Sequence, residues 1–285
     1  MERLTRDDAE LLGIENDLAA VHGMTIGIFK GPEPSFDDIQ DHVAARIPLV
    51  PRYRQRPIQI PFDIARPVWV DDPHFSLDFH VRHTALPRRV GVDALAVLVS
   101  RLLSQRLDRG KPLWEMWMVS GLKDDHWALV SKVHYAMIDG VSGTDLFALL
   151  LDDGATPPAP EDFSPPPLPS AAQLLPEAVA DALFSPVDRL RDAGDLAAAP
   201  FRLARRTLER VASPAQSSGF GASTGPHRRW QRLRLPLDDA RQVRERHGCT
   251  TTDVILAAIC GGIRHYLLAK DEPVPRQLSA LVRTA

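Results

Sequence analysis

The chain has 285 residues, a formal net charge of -3 and 44% hydrophobic residues. That length and apolar content supply the core of one large globular domain or of two small ones. The charge balance excludes a general nucleic-acid binder, which would carry a basic excess over the whole domain, so no nucleic-acid partner is expected.

The cysteines predict neither a disulfide nor a metal site. Cys249 and Cys260 have no CxxC spacing and no histidine pair beside them, so we expect two buried apolar residues in a reducing cytosol and no metal. The N-terminal segment is charged, and the sequence has no run of about 18 or more apolar residues. We therefore expect a cytoplasmic protein that is soluble or lies on a membrane surface.

The first quarter of the chain predicts one strand, one helix and a proline-rich stretch. Residues 24–31 have the β-branched and apolar content of a strand, and Ser35 is placed to cap a helix over 36–47. The six prolines from Pro48 to Pro73 are typical of extended, turn-rich chain, which we expect to wrap the domain surface.

A helix and a hairpin are predicted next. Apolar positions at helical spacing indicate an amphipathic helix over 92–107. Two strand patterns follow over 113–122 and 126–134, joined by a polar turn at 123–125. The second strand leads directly into the segment KVHYAMIDGVSG.

That segment, residues 132–143, lies where the predicted strand gives way to another helix. Ser142 or Thr144 can cap a helix through the following DLFALLLD. Its histidine, tyrosine and aspartate are therefore expected in a strand-to-helix loop.

Composition divides the chain into three parts. We predict an N-terminal domain over 1–152, a Pro/Ala/Ser-rich linker over 153–226, and the start of a second domain over 227–285. Within the linker, residues 201–211 form an amphipathic pattern with arginines off the apolar face. An interdomain helix with solvated arginines is favoured, and contact with an anionic membrane surface is the alternative.

The C-terminal region predicts a strand after residue 226, a helix ending near Gly248, and a strongly apolar helix capped by Thr251 or Thr252. Residues 278–282 have the pattern of a further strand. Since little sequence follows, we expect an incomplete second domain whose apolar helix is poorly covered, completed by a partner chain or prone to association.

Five segments in order carry a resemblance to a known family. They are RLTRDDAELLGIEN at 3–16, VPRYRQRP at 50–57, KPLWEMWMVSGL at 111–122, KVHYAMIDGVSG at 132–143 and GCTTTDVILAAICGGIRHYLL at 248–268. Together they resemble the wax ester synthase/diacylglycerol acyltransferase family over nearly the whole chain. A condensation domain of peptide synthesis shares the histidine box, but the PLWEM segment and the long proline-rich linker argue against it.

The resemblance implies an α/β (α+β) architecture of the chloramphenicol-acetyltransferase-like, CoA-dependent acyltransferase fold. Two such domains enclose the active-site channel, and this chain would hold the first domain and the start of the second. The implied activity moves a fatty acyl group from acyl-CoA to diacylglycerol or to a long-chain alcohol. Acyl-CoA is then a co-substrate, no cofactor is needed, and the lipid acceptors imply contact with a membrane or lipid-droplet surface.

The resemblance also assigns residues. The family box is HHxxxDG, whose second histidine is the general base and whose aspartate organises the loop. Here the box reads His134, Tyr135, three further residues, Asp139 and Gly140, so the base position holds a tyrosine. Gly140 and Gly143 are expected to give the loop its tight turn.

Acyl transfer from a thioester to an alcohol requires a base that accepts the hydroxyl proton, and a pKa near the working pH serves best. A histidine side chain meets this condition, whereas an ordinary tyrosine is ionised to about one part in a thousand at pH 7. We therefore expect weakened transfer from a chain with Tyr135. The alternative is a catalytically inactive paralogue that binds lipid or acyl-CoA, or a gene fragment.

His134 has two interpretations. Adjacent residues on a strand point to opposite sides, so a channel-facing Tyr135 leaves His134 facing away. A packed or hydrogen-bonded histidine is favoured, and a substitute base is the alternative. Asp139 is in turn expected to bond backbone amides of its loop, as aspartates in turns do.

Other candidate site residues also have a structural interpretation. Pro112, Leu113 and Trp114 indicate a strand start with a buried tryptophan, or else a wall of the substrate channel. Asp253 is either a helix cap or a contributor to the channel. Four arginines are expected to be solvated, with CoA phosphate binding as the alternative: Arg228, Arg229, Arg232 and Arg234.

Overall fold

The computed structural model describes residues 1–16, 20–61, 65–138, 146–151, 163–170, 172–174, 176, 225–232 and 236–275. Described residues up to 176, together with 225–231, belong to one compact unit, and Arg232 with 236–275 belongs to a second. The domain limits predicted from composition remain predictions.

The first unit alternates strands and helices. In chain order these are β1 (Glu2–Arg3), α1 (Arg6–Ile14), β2 (His22–Lys30), α2 (Phe36–Arg46), β3 (Gln55–Ile58), β4 (Val68–Asp71), α3 (Leu77–His80), β5 (Val81–Val90), α4 (Val92–Ser104), β6 (Trp114–Leu122), β7 (His126–His134) and α5 (Leu146–Leu150). The expected mixed α/β architecture is confirmed.

A mixed sheet forms the centre of this unit, with strand order β2-β7-β6-β5 among the described residues. β7 pairs antiparallel with both β2 and β6, whereas β5 runs parallel to β6 and is joined to it through α4. The predicted hairpin of 113–122 and 126–134 is thus observed as β6 and β7. Its turn places Asp124 and Asp125 at positive φ, a conformation that aspartate adopts more readily than most residues.

Each face of this sheet packs on helices. Met116 and Met118 of β6 point into a core shared with α1 and α2. The opposite face of the sheet packs Val119 and Val130 against Leu95 and Val99 of α4. This alternation follows from the two-residue period of strands. The helix predicted over 92–107 is α4, which ends three residues earlier, at Ser104.

The predicted N-terminal elements agree with the structure. The strand predicted over 24–31 is β2, and Ser35 caps α2 in a capping box, since its hydroxyl accepts from the Asp38 N–H and the Asp38 carboxylate accepts from the Ser35 N–H. The helix α2 ends at Arg46, one residue before the predicted end.

The proline-rich stretch does not merely wrap the surface, as the sequence had suggested. After two short 3-10 turns it forms β3 and β4, which join β1 in a small antiparallel sheet. Trp69 at the centre of β4 is buried. Pro57 lies in β3, an edge strand of this sheet, where a missing N–H costs little.

Part of the predicted linker also packs on this region. The Arg54 guanidinium lies 4.2 Å from the centroid of the Phe163 ring, and Phe75 meets the same ring edge-on. Leu174 is buried in a cluster with Val68 and Val70. The amphipathic pattern at 201–211 and the strand predicted at 278–282 lie outside the described residues.

The second unit is described by two helices, α6 (Leu237–His247) and α7 (Thr251–Ala269). Gly248 ends α6 in the left-handed conformation, with φ of 62°, as its position after the helix predicts. No strand occurs in residues 225–232, where the sequence had suggested one. Of the described helices, only α7 is long and apolar enough to cross a membrane, a test that core helices of soluble proteins also pass.

Two predictions about this unit were wrong. The residue that caps α7 is Thr250, one position before the predicted Thr251 or Thr252, because its hydroxyl accepts from the Asp253 N–H three residues on. Cys260 is exposed and Cys249 half-buried, although the sequence had suggested two buried cysteines. Cys260 lies on the same helix as Ile255 and Ile259, which are also exposed.

Candidate active site

Tyr135 occupies the first position after β7, in a short 3-10 turn over Tyr135–Met137. Its backbone N–H donates to the Val21 carbonyl at 3.1 Å, which attaches the turn to the chain entering β2. The side chain is 41% exposed and lies across Gly23, where an added Cβ would come within 3.1 Å of the Tyr135 ring and hydroxyl. The base position of the box is therefore open to solvent.

His134, in contrast, has no exposed surface. Its Nδ1 accepts from the Ala136 N–H at 3.0 Å, so the neutral ring carries its proton on Nε2. Burial lowers the pKa of His134 to about 4, so the ring is neutral at physiological pH. With the Nδ1 lone pair engaged and Nε2 protonated, this geometry favours the packed role over that of a substitute base.

Nε2 of His134 faces a buried carboxylate. Glu15, the C-cap residue of α1, places Oε1 3.8 Å from this nitrogen. The same oxygen accepts from the Val21 N–H at 3.4 Å. Its Oε2 accepts from both Nε and a terminal nitrogen of Arg109, at 3.1 and 3.0 Å. Arg109 also donates to the carbonyl of Leu12 in the last turn of α1.

Two further buried nitrogen-bearing side chains, those of His22 and Lys132, face the α4 side of the sheet. A ring nitrogen of His22, which pairs with His134 across the strands, lies 2.9 Å from the Leu103 carbonyl, and Lys132 donates to the carbonyl of Gln105. Such donors satisfy the last carbonyls of a helix. Burial lowers the pKa of His22 to about 4 and also lowers the pKa of the Lys132 amine.

Pro112, Leu113 and Trp114 are all buried, which favours the packing interpretation over a channel wall. The Trp114 indole N–H donates to the Tyr53 carbonyl at 2.8 Å, and its ring stacks on His80 with centroids 4.6 Å apart. The Leu113 carbonyl accepts from the His134 N–H at 3.0 Å. This segment therefore supports the strand that ends at the box.

The remaining predicted site residues are placed as follows. Asp139, Gly140 and Gly143 lie outside the described residues. Asp253 accepts from the N–H and hydroxyl of Thr250 at 2.8 and 2.7 Å, which is the capping role that the sequence favoured. These hydrogen bonds from Thr250, that of the hydroxyl first, lower the pKa of Asp253.

Of the four arginines, Arg228 uses its backbone N–H to bond the Ser104 hydroxyl at the end of α4. Its guanidinium donates to the carbonyls of Gly225 and His227. Arg234 lies outside the described residues.

Sequence reasoning did not single out Glu15, Arg109 or Gly23. They are separated from Tyr135 by between 26 and 120 positions, and only the fold brings them to it. A carboxylate that ends a helix and an arginine in a polar loop carry no local signal of this role. Gly23, inside a strand pattern, is of the kind that marks close approach of another group.

A mixed sheet flanked by helices, with His134 at the end of its inner β7 strand, agrees with the chloramphenicol-acetyltransferase-like fold of CoA-dependent acyltransferases that the sequence predicted. Residues 4–255 match the model of the wax ester synthase/diacylglycerol acyltransferase catalytic domain. The chain belongs to the wax ester synthase/diacylglycerol acyltransferase family.

Individual relatives agree with this. "Probable diacylglycerol O-acyltransferase tgs3" of Mycobacterium tuberculosis is 34% identical over an alignment of 267 positions that covers 88% of this chain and 98% of that protein. "Probable diacylglycerol O-acyltransferase tgs1" of the same species is 35% identical over 95% of this chain, but only 59% of its own length is matched. The solved wax ester synthase/diacylglycerol acyltransferase from Marinobacter aquaeolei VT8 is similar with a TM-score of 0.58 and 27% identity, over 95% of this chain and 62% of that one.

Proposed function

We propose that this chain transfers a fatty acyl group from acyl-CoA to diacylglycerol or a long-chain alcohol, with Tyr135 at the general-base position and a correspondingly low rate. The observation that carries the proposal is the placement of Tyr135. It is exposed at the end of β7 and anchored to Val21, while its neighbour His134 is fully buried.

The proposed reaction has one covalent exchange. The acceptor hydroxyl oxygen forms a bond to the thioester carbonyl carbon, and the carbon–sulfur bond breaks to release CoA. The hydroxyl proton passes through the base to the departing sulfur. A phenol is a much weaker proton acceptor than an imidazole, so the attacking hydroxyl loses its proton less readily and we expect turnover sustained mainly by positioning of the two substrates.

His134 does not take over the base role in this proposal. Its Nδ1 accepts from Ala136 and its Nε2 proton faces Glu15, so neither nitrogen offers a lone pair to the acceptor hydroxyl. The imidazole instead holds the turn that carries Tyr135.

Both acceptors dissolve in lipid, so we propose further that the chain works in the cytoplasm at the surface of a membrane or lipid droplet. The exposed apolar side chains of α7, among them Ile255, Ile259 and Leu268, support such a contact. Flotation of the chain with vesicles of phosphatidylglycerol and diacylglycerol tests this part. Failure to float with them at low salt would contradict it.

A second candidate function is a non-catalytic protein that binds acyl-CoA or lipid, and the absence of an imidazole at position 135 is the observation that favours it. The two are separated by assaying radiolabelled palmitoyl-CoA with diacylglycerol and with hexadecanol. The parent chain, Tyr135→His and Tyr135→Phe are compared. We expect weak product from the parent and roughly 100-fold more from Tyr135→His, since a general base contributes about 10²- to 10⁴-fold.

Tyr135→Phe keeps the ring and is the matched control, so it should not exceed the parent. His134→Asn, whose amide oxygen can still accept from Ala136, should retain the parent rate. Loss of product in folded His134→Asn, with hydrogen exchange of the Tyr135 amide as in the parent, would show that His134 is the base after all. A thermal shift with palmitoyl-CoA, without product from either the parent or Tyr135→His, would favour the binding protein.

A further inference from the structure

The buried pair of Glu15 and Arg109 lies behind the box and takes no part in the acyl transfer described above. The Glu15 side chain is 1% exposed, although it is a carboxylate, and Arg109 is about half-exposed. Carboxylates this deeply buried are rare unless they are paired. We infer that Glu15 is a positioning residue for position 135, and that Arg109 holds Glu15 in place.

The first link from Glu15 to position 135 runs through the backbone of Val21. Glu15 Oε1 accepts from the Val21 N–H, and the carbonyl of Val21 accepts from the Tyr135 N–H. Val21 therefore connects the Glu15 carboxylate to the main chain of Tyr135 through two hydrogen bonds.

The second link runs through the His134 side chain. Glu15 Oε1 faces Nε2 of His134 at 3.8 Å, and Nδ1 on the other side of the same ring accepts from Ala136. A carboxylate opposite the Nε2 proton favours the tautomer in which Nδ1 can accept. Glu15 therefore faces the ring that bonds the residue after Tyr135, although no hydrogen bond joins Nε2 to the carboxylate among the described residues.

Arg109 fixes the carboxylate from the opposite direction. Two of its nitrogens bond Oε2, and one of them also bonds the Leu12 carbonyl at 2.6 Å, which joins the end of α1 to the loop after α4. Contacts shared by two nitrogens of one planar guanidinium restrict the carboxylate more than a single point charge does.

Glu15→Gln is the informative substitution because it keeps the shape and replaces one acceptor oxygen with a donor. The single amide oxygen of glutamine can accept either from Arg109 or from the Val21 N–H. The amide NH2 group then faces the other donor, and two donors cannot hydrogen-bond each other. Hydrogen exchange followed by NMR measures the outcome without any enzymatic activity. We expect the Tyr135 amide to exchange roughly tenfold faster, while central β6 and β7 amides are unchanged.

Two further variants sharpen this measurement. Asp72→Asn changes another buried carboxylate, one with no contact to Glu15, and should leave Tyr135 exchange as in the parent. Arg109→Lys should accelerate exchange less than Arg109→Gln, because the charge remains. Unchanged Tyr135 exchange in Glu15→Gln, or equal acceleration over the whole sheet, would overturn the inference.

The kinetic arm rests on the proposed function and uses the Tyr135→His background. There, adding Glu15→Gln should lower kcat by roughly 10-fold or more with KM for palmitoyl-CoA within about twofold, the pattern of a misplaced base. Asp72→Asn in that background should change neither. An unchanged kcat would overturn the inference about Glu15. Absence of turnover in Tyr135→His itself would count against the proposed function instead, and the exchange measurement would then decide the role of Glu15.

Discussion

The ring of Tyr135 lies over the backbone of Gly23, so close that a methyl group at Gly23 would meet the ring at 3.1 Å. Gly23 sits beside His22 on β2, and the side chain of His22 points instead to the α4 side, where its ring meets the Leu103 carbonyl. The absence of a side chain at position 23 therefore gives the phenol its place on the open side of the strand.

Gly23→Ala should push the Tyr135 ring outward by a few tenths of an ångström. Because the ring is partly exposed it can move, and alanine is the better strand residue, so we expect little net change in the free energy of unfolding. A double-mutant cycle with Tyr135→Ala should nevertheless show a coupling of about 0.5–1 kcal/mol, measured by urea denaturation. Additive effects of the two substitutions would contradict the contact.

The stability of the chain should depend on pH through its buried histidines. Burial lowers the pKa of His22, His80 and His134 to about 4, whereas an unfolded histidine titrates near 6.5. Between these values the unfolded chain binds more protons, so the stabilisation is complete above pH 6.5 and is lost as pH falls towards 4. Each histidine should add up to about 1.4 kcal/mol per pH unit to the slope in this window.

Urea denaturation at a series of pH values measures that slope. His80→Asn can still donate to the Trp114 carbonyl, which the His80 ring approaches at 2.7 Å. It should lower the slope by the contribution of one proton, about 1.4 kcal/mol per pH unit. Ser131→Ala, at another buried position and without a group that titrates in this window, is the control and should leave the slope unchanged. A slope that His80→Asn does not alter would show that His80 is not the group responsible.

Trp114→Phe distinguishes a core residue from a channel wall. The substitution leaves the buried Tyr53 carbonyl without the indole donor, so it should cost about 2 kcal/mol of stability. Trp117→Phe is its control on the same strand, because the buried Trp117 indole nitrogen has no hydrogen-bond partner among the described residues, and it should cost less. A change of acceptor preference in Trp114→Phe, with stability retained, would instead support the channel.

The capping box of α7 predicts equal effects from its two members. Thr250→Ala should destabilise the start of α7 by about 1 kcal/mol, and Asp253→Ala should destabilise the same turn without altering KM for palmitoyl-CoA. Hydrogen exchange at the first-turn amides measures both. If Asp253→Ala raised that KM while exchange stayed unchanged, Asp253 would belong to the channel.

Local signals in the sequence predicted much of the central sheet. Ser35 followed by Asp38 defines the start of α2, and the polar turn at 123–125 between two apolar runs defines β6 and β7. Both depend on residues within a few positions of each other, which is why the sequence suffices.

Strand β5 and the small sheet carried weaker signals. Pro87 interrupts β5 and breaks its register with β6 between Ala85 and Val90. Gly121 permits the close approach there, since its φ is +89° and a Cβ would come within 2.5 Å of the Leu86 carbonyl oxygen. β5 is at the edge of the described sheet, where such a strand is tolerated, but its polar alternation and proline resemble a loop.

The base position could be predicted only through the family box, and its surroundings could not be predicted at all. Nothing near Glu15 in the sequence indicates that it faces His134. The contact depends on the end of α1 lying beside the start of β2 and the end of β7 in space. Long-range pairing of this kind is decided by the packing of the whole unit.

Lys132, three positions before Tyr135, illustrates a chemical consequence of burial. A lysine whose pKa is lowered is a stronger nucleophile at neutral pH, and thioesters acylate such amines. Lys132 has no exposed surface and donates to the Gln105 carbonyl on the α4 side of the strand. If the thioester is held beside Tyr135, as proposed, the sheet itself protects this amine from self-acylation.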